Sequence, residues 1–404
     1  MDAPVKQNRI VDSHHHLMGV FLTFLKLGCT SFGGPIAHVG YFRKEVVERQ
    51  AWVTESQFSQ LFAICQFLPG PSSSQLGFSL GMVRSGWKGA LAAFTAFTLP
   101  SVALLMVFVA MLPALSGPTG QAAIHGLKLV ACAVVADAVM RMVTKLCPDI
   151  TRRVMAIAAA GILLFVGSAW VQLAVVVGGA LSGLLWCEVA QTTTENRIQV
   201  AYGKRTSAWL FGIFLALLAA LTLNTSSGIG LVSIAEAFYQ AGALVFGGGH
   251  VVLPLLQESV VSSGWISEAS FLSGYGAAQA LPGPMFSFSA YLGAVIPTGY
   301  ANWLPALVAL TFMFMPGFLL ISAALPVWQS ISRSKRAANA IAGVNATVVG
   351  ILAAALYDPI ITSGIESATD AGIALIGFGL LARWRVSPVV IVILTVLASI
   401  TFAS

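Results

Sequence analysis

Gln66-Phe67-Leu68-Pro69-Gly70-Pro71 returns as Gln279-Ala280-Leu281-Pro282-Gly283-Pro284, and its surroundings return with it. Upstream, Trp52-Val53-Thr54-Glu55 is repeated as Trp265-Ile266-Ser267-Glu268, and Phe32-Gly33-Gly34 as Phe246-Gly247-Gly248. The offset is 213 residues for the first two pairs and 214 for the third. Downstream, each copy runs into a long apolar segment carrying a proline, Pro100 in one and Pro316 in the other. Loops that are basic in the first copy are neutral or acidic in the second. Duplication with inverted loop charge is the pattern of a membrane transporter built from inverted repeats.

Composition excludes the soluble alternative, a duplicated helical array. Of 404 residues, 57% are apolar and 9% charged, against about one quarter charged in an ordinary soluble chain. Apolar runs at 90–112, 155–169, 173–186, 209–223, 304–325 and 389–402 approach the ~20 residues needed to cross ~30 Å of hydrocarbon. A membrane barrel would show short alternating strands instead. The net charge of +6 comes from bases scattered over short loops, so it does not indicate a nucleic-acid partner. Residues 1–16 read as a polar tail without a cleavable signal, and His14-His15-His16 as part of that tail rather than a metal site. The five cysteines lack metal or redox spacing and read as small core residues. No cofactor motif is present.

Lysine and arginine counts orient the loops. Arg43, Lys44 and Arg49; Arg84 and Lys88; Arg141, Lys145, Arg152 and Arg153; and Arg197, Lys204 and Arg205 go to the cytoplasm. Loop 113–120 goes outside. In the second copy, 258–268 and 358–370 carry only acids and go outside, whereas 329–336 and the turn at Arg383 and Arg385 are basic and go inside. Segment 50–84 then starts and ends inside, and 263–298 starts and ends outside. Each is expected to be a re-entrant hairpin whose tip is the Pro-Gly-Pro, since proline lacks a donor and restricts its predecessor. Thr54 with Gln57 reads as a capping box, and Glu55–Phe67 rises only ~20 Å, enough for mid-membrane. Segments 17–47 and 230–257 are expected to be hairpins broken at the glycine clusters.

The expected fold is an all-α polytopic membrane protein with two inverted-topology repeats. Each repeat has two re-entrant or broken hairpins and about four full crossings, and a connector helix joins the two. The boundaries are 1–187, 188–228 (cytoplasmic linker and connector) and 229–404.

Non-helical backbone at membrane depth persists only where it is buried in protein or lines a polar cavity, so four breaks point to one central site. Ser72-Ser73-Ser74 restarts a helix after Pro69-Gly70-Pro71, and Met285-Phe286-Ser287 does so after Pro282-Gly283-Pro284. Free amides, helix dipole and hydroxyls there form an anion cradle, with Gln66, Gln279, Gly33, Gly34, Gly247, Gly248 and Gly249 around it. A helix end contributes only ~0.3–2 kcal/mol toward an anion, while burying an ion costs several kcal/mol. A cation is therefore needed, and Lys26, ~14 Å along the first apolar helix, is the candidate, with snorkelling as the alternative. Its repeat counterpart is Gln240. Lys128, aligned with Asn345, is a further buried candidate, and Asp137 with Arg141 reads as a structural pair. Glu236, His250 and His38 join Lys128 and Asn345 as candidates for coupling, with a satisfied core polar group as the alternative reading.

These motifs resemble the chromate ion transporter family: Phe32-Gly33-Gly34-Pro35, Trp-Val-Thr-Glu, Pro-Gly-Pro, Phe246-Gly247-Gly248-Gly249-His250 and Gly343-Val344-Asn345-Ala346. The similarity covers both copies, roughly 20–400, as in the long two-domain form. The resemblance implies proton-gradient-driven efflux of chromate across the bacterial inner membrane, with sulfate as the competing tetrahedral dianion. Implied partners are the oxyanion, protons, the bilayer and a second copy of the chain. With two serines replaced by Met285-Phe286, the second copy is expected to contribute fewer anion contacts. A passive anion channel is one alternative. Another is a lipid-pyrophosphate phosphatase, whose Pro-Gly-x-Ser-Arg-Ser loop resembles Pro69–Ser74, although the arginine and a carboxylate cluster are missing here.

Overall fold

A computed structural model describes residues 13–32, 34–166, 169–188, 200–223, 228–246, 252–328 and 334–402. Its elements run in two parallel series. In the first, α1 (Ser13–Thr30) breaks before α2 (Gly34–Arg43), which ends in a π-helical turn, Lys44–Arg49. Then follow α3 (Glu55–Phe67), α4 (Ser72–Met111), α5 (Pro118–Leu146), α6 (Ile150–Phe165) and α7 (Ala169–Trp186). After the connector α8 (Lys204–Thr222), the second series is α9 (Leu231–Leu244), α10 (Val252–Val260), α11 (Glu268–Ala280), α12 (Phe288–Val295), α13 (Trp303–Ala324), α14 (Lys335–Ala355), α15 (Ala368–Trp384) and α16 (Pro388–Phe402). No strand occurs among the described residues. The protein is an all-α polytopic membrane protein.

Local chemistry sets the element ends, and does so twice. Thr54 accepts from the Gln57 amide while the Gln57 side chain accepts from the Thr54 amide, so α3 starts on a complete capping box. At the equivalent position, Ser267 accepts from Ser270 at the start of α11. Leu68 and Leu281, each preceding a proline, are extended and end those helices. Gly70 and Gly283 take φ of 120° and 97°. Gly86 and Gly299, 213 positions apart, take φ of 62° and 76° and divide each second hairpin from the helix that follows. The continuous-looking α4 is therefore two helices, 72–84 and 87–111, with non-helical Ser85 and Gly86 between them. One difference from expectation lies in the second copy. There the restart after Pro284 is a 3-10 turn, Met285–Ser287, with Ser287 donating its amide to Pro284 over 2.9 Å, before the eight-residue α12.

Among the described residues, five segments are long and apolar enough to span a bilayer: Ser72–Ser116, Pro118–Leu146, Lys204–Thr222, Trp303–Val327 and Lys335–Gly364. The last pair of each repeat is shorter, at 16, 18, 17 and 15 residues, or roughly 22–27 Å at helical rise. These short pairs are covered by exchange: α14 lies along α6 and α7, while α5 lies along α15 and α16. Gly343 of the Gly-Val-Asn-Ala signature touches Gly179 and Gly183 backbone to backbone, so its missing Cβ sets this crossing. Within each repeat, α1 packs on α4 and α9 on α13.

Candidate functional site

Each Pro-Gly-Pro tip meets the residue that stands just ahead of the other repeat's glycine cluster. The Gly70 amide donates to the carbonyl of Val245 over 2.7 Å, and the Gly283 amide to the carbonyl of Ser31 over 3.0 Å. Val245 and Ser31 hold equivalent positions just ahead of the two glycine clusters, so the bonds are reciprocal. Each tip also abuts the residue after the other repeat's helix proline. A Cβ on Gly70 would lie 2.9 Å from Gly317 Cα, and one on Gly283 would lie 3.0 Å from Ser101 Oγ.

Around this meeting point the polar side chains are unequal. In the first copy Ser73, Ser74 and Gln75 are buried and Ser72 is half-buried. Gln75 Nε2 donates to Pro69 O (2.9 Å) and Gly317 O (3.0 Å), bracing the tip against α13. The Gln75 amide bonds Pro71 O, leaving the amides of Ser72, Ser73 and Ser74 as the leading turn of α4. In the second copy Ser287 Oγ pairs with Ser101 Oγ at 2.7 Å, Gln279 Nε2 contacts Met285 Sδ at 3.2 Å, and Met285 and Phe286 fill the space. Gln66 is half-buried at the end of α3, and Pro71, Pro282, Gly283 and Pro284 are buried at the tips, with Pro69 half-buried.

Several buried atoms at the breaks have no hydrogen-bond partner among the described residues: Ser31 Oγ, both ring nitrogens of His38, Ser74 Oγ, Gln75 Oε1 and Thr98 Oγ1. Such a group costs ~1–3 kcal/mol when left unsatisfied; others lie away from the breaks, at Gln60, Ser85, Asp137, Ser322, Trp328 and Asn345. Gly34 starts α2 with φ 76°. Gly33, Gly247, Gly248, Gly249 and His250 lie outside the described residues.

Lys26 is placed at the mouth of the first hairpin rather than in the cradle. Its Nζ is 3.2 Å from Glu45, and its side chain is 55% exposed. Glu45 is also held by Arg49 at 3.1 Å and by Gln50 at 2.9 Å. Burial pushes the Glu45 carboxyl up, but hydrogen bonds from Gln50, Lys26 and Arg49 outweigh it and hold it below the usual carboxylate value. Lys128 stands apart, in a cluster joining α5 to the 366–370 segment: Lys128 to Glu366 at 3.3 Å and His125 to Asp370 at 2.9 Å. Asn345 lies on α14 with Oδ1 unpartnered. Glu236 accepts from Gln240 at 3.3 Å and lines a 520 Å³ cavity with Glu258 and Trp265. Asp137 and Arg141 pair at 2.7 Å, and Arg141 also bonds Leu381 O.

Ser31, Gln75, Thr98 and Ser101 were not singled out from sequence. Ser101 and Gly317 each follow a helix proline, and aligning those prolines between copies would have found them.

Comparison with known proteins agrees with the duplication. The family model for the Chromate transporter matches residues 18–184 and 232–400. The chain is 30% identical, over 92% of both chains, to a Synechococcus elongatus protein named "Probable chromate transport protein". It is 27% identical to the chromate transport protein of Pseudomonas aeruginosa, covering 84% of this chain and 80% of that one. The chromate transport protein of Cupriavidus metallidurans is 25% identical, covering 91% and 88%. No solved structure matches.

Proposed function

Because this chain belongs to the chromate transporter family, we propose that it exports chromate from the cytoplasm through a central site at the meeting of its four helix breaks, using the proton-motive force. The observation that carries the site is the set of unpartnered Ser31, Ser74, Thr98 and His38 groups near the two tips, the first of which is followed by the leading turn of α4 at Ser72, Ser73 and Ser74. A tetrahedral dianion presents four acceptor oxygens, which hydroxyls, amides and an imidazole N–H satisfy from different directions. Sulfate has the same shape and charge and competes.

The direction is reasonable on energetic grounds. A cytoplasmic dianion leaving a negative interior gains about 2.3 kcal/mol per charge per 100 mV, or about 4.6 kcal/mol in all. That sustains roughly a thousandfold gradient at one decade per 1.4 kcal/mol.

Inverted orientation of the repeats in a bacterial inner membrane is part of the same proposal. It is supported by contacts between loops assigned to one side by charge. On the cytoplasmic side Arg84 lies 5.6 Å over Trp52, and Trp87 stacks on Tyr202. On the outer side His125 meets Asp370, Ser363 bonds Glu268, and Ser399 bonds Ala122 O.

The test is chromate uptake into inside-out vesicles or proteoliposomes with an imposed potential. Saturable uptake, inhibited by sulfate and driven by a positive interior, is expected. Flux that rises linearly with chromate would indicate a channel, and no flux would overturn the proposal.

A further inference from the structure

His38 is the one imidazole placed at the breaks among the described residues, and the polar group beside it is the backbone of Ser31. Its ring is fully buried, and neither nitrogen has a hydrogen-bond partner. From its own element Phe42 faces it, at 6.5 Å between ring centroids, and from α4 Phe97 does, at 5.4 Å. The end of α1 brings the Ser31 carbonyl beside it, the same carbonyl that receives the Gly283 amide. None of these neighbours is charged. The ionic groups of the hairpin, Lys26, Glu45 and Arg49, are bonded to one another at its mouth, and those of α4 nearest to it, Arg84 at the far end of the first half and Lys88 at the start of the second, flank the Ser85–Gly86 break.

Depth places His38 at the cradle. The Phe42 ring rests against Gly77 of α4, 3.4 Å from where a Cβ would be. α2 and the first half of α4 both run outward from the breaks. One turn back toward the tip from Phe42 is His38, and one turn back from Gly77 is Ser73–Ser74, so the imidazole stands level with the serines.

We propose, resting on the function above, that His38 takes up a proton when the oxyanion binds and releases it when the oxyanion leaves, so that one proton travels with each dianion. In the empty site the ring is neutral, because an imidazolium buried without a counter-charge costs several kcal/mol. A dianion at the level of Ser73 and Ser74 supplies that counter-charge. By linkage, the proton then strengthens anion binding by the same factor as the anion strengthens proton binding. The balance is imidazole plus H⁺ to imidazolium on loading, and the reverse on release. The net charge moved is one per chromate instead of two, which halves the gain from the membrane potential to about 2.3 kcal/mol per 100 mV and sets the outgoing proton against any inward pH gradient, so the potential is the driving part of the proton-motive force.

The experiment is a reversal-potential measurement in proteoliposomes, with valinomycin and potassium setting the voltage and equal pH of 8 on both faces. With one net charge, a tenfold chromate gradient is balanced by about 59 mV. With two it is balanced by about 30 mV. The proposal expects the former, together with proton movement in the direction of chromate. His38→Gln should lower the flux several-fold, and what remains should balance near 30 mV. Binding to detergent-solubilised wild-type protein should weaken up to tenfold per pH unit above neutrality, and the His38→Gln slope should be flat. Wild-type flux that balances near 30 mV overturns the role of His38 and leaves chromate export standing. A His38→Gln protein still balancing near 59 mV places the proton elsewhere and also overturns it. Absence of any wild-type chromate flux removes both readings.

Discussion

The amide of Gly283 reaches 3.0 Å to the carbonyl of Ser31, in the other repeat. Gly283 takes φ 97°, and a Cβ there would lie 3.0 Å from Ser101 Oγ and 3.2 Å from Phe97 O. An alanine carries both the ~1–3 kcal/mol of unfavourable backbone and that crowding. Gly283→Ala should therefore lower both the melting temperature in detergent and chromate flux. Gly70→Ala should do at least as much harm, since its Cβ meets the Gly317 backbone at 2.9 Å and backbone yields less than a hydroxyl. Wild-type melting and flux in Gly70→Ala would show that the tip does not need this close approach.

The serines separate the cradle from a mere kink. Replacing Ser72, Ser73 and Ser74 together by alanine keeps the helix start and removes three hydroxyls, each worth ~1.5–3 kcal/mol toward a charged partner. Chromate affinity should fall at least tenfold, with Ser74→Ala giving the largest single share because Ser74 Oγ has no internal partner. Ser287→Ala should matter less, since that hydroxyl is already paired with Ser101. Equilibrium binding of chromate by each variant is the readout, and equal losses in both copies would contradict the asymmetry.

Lys26 is expected to act at the entrance. Lys26→Met leaves Glu45 held by Arg49 and Gln50, so the fold should survive with little change in melting temperature. Flux at low chromate should drop several-fold as attraction at the mouth is lost. Lys26→Arg should restore part of it, a planar fork presenting its charge differently from an ammonium. Undiminished flux in Lys26→Met assigns the residue to snorkelling alone.

Orientation is checked by labelling two exposed equivalents, Lys88 and Ala301. In intact cells or oriented vesicles, a cysteine at 88 should react with an impermeant thiol reagent only from the cytoplasm, and one at 301 only from outside. Reaction of both from one side would mean the repeats are not inverted.

The cluster of His125, Lys128, Glu366 and Asp370 has a pH signature. Burial raises the Asp370 carboxyl, but hydrogen bonds from His125, Ser367 and the Glu366 amide more than offset it, leaving its pKa lowered. A lowered folded value means the carboxylate stabilises the fold at neutral pH, and that contribution fades as pH falls through the ordinary aspartate value, about 4, and below. Melting temperature should decline over that window, and the decline should be shallower in Asp370→Asn. Parallel declines in both proteins would remove Asp370 as the cause.

What could be read from sequence alone was what local chemistry decides. The limits of α3 follow from Thr54, Gln57 and the proline after Leu68, all within one stretch of chain. The duplication and the tip positions follow from motif spacing. What escaped depends on the repeats folding into each other. Gln75 finds its acceptor at Gly317, 242 residues away, and Ser101 meets Ser287 across 186. Lys26 has its carboxylate 19 residues on, at Glu45, where only the sharp turn of the first hairpin brings it. Counting depth along a straight helix put the lysine beside the anion and took no account of that turn.

The crossed bonds at the tips also constrain how such a molecule opens. Gly70 with Val245 and Gly283 with Ser31 are equivalent under exchange of the halves, so a rotation of one half against the other stretches both at once. Releasing one while keeping the other would require a half to bend internally. Opening and closing should therefore proceed as a single concerted step, without a populated half-open species. A covalent tether across either tip should arrest the whole cycle.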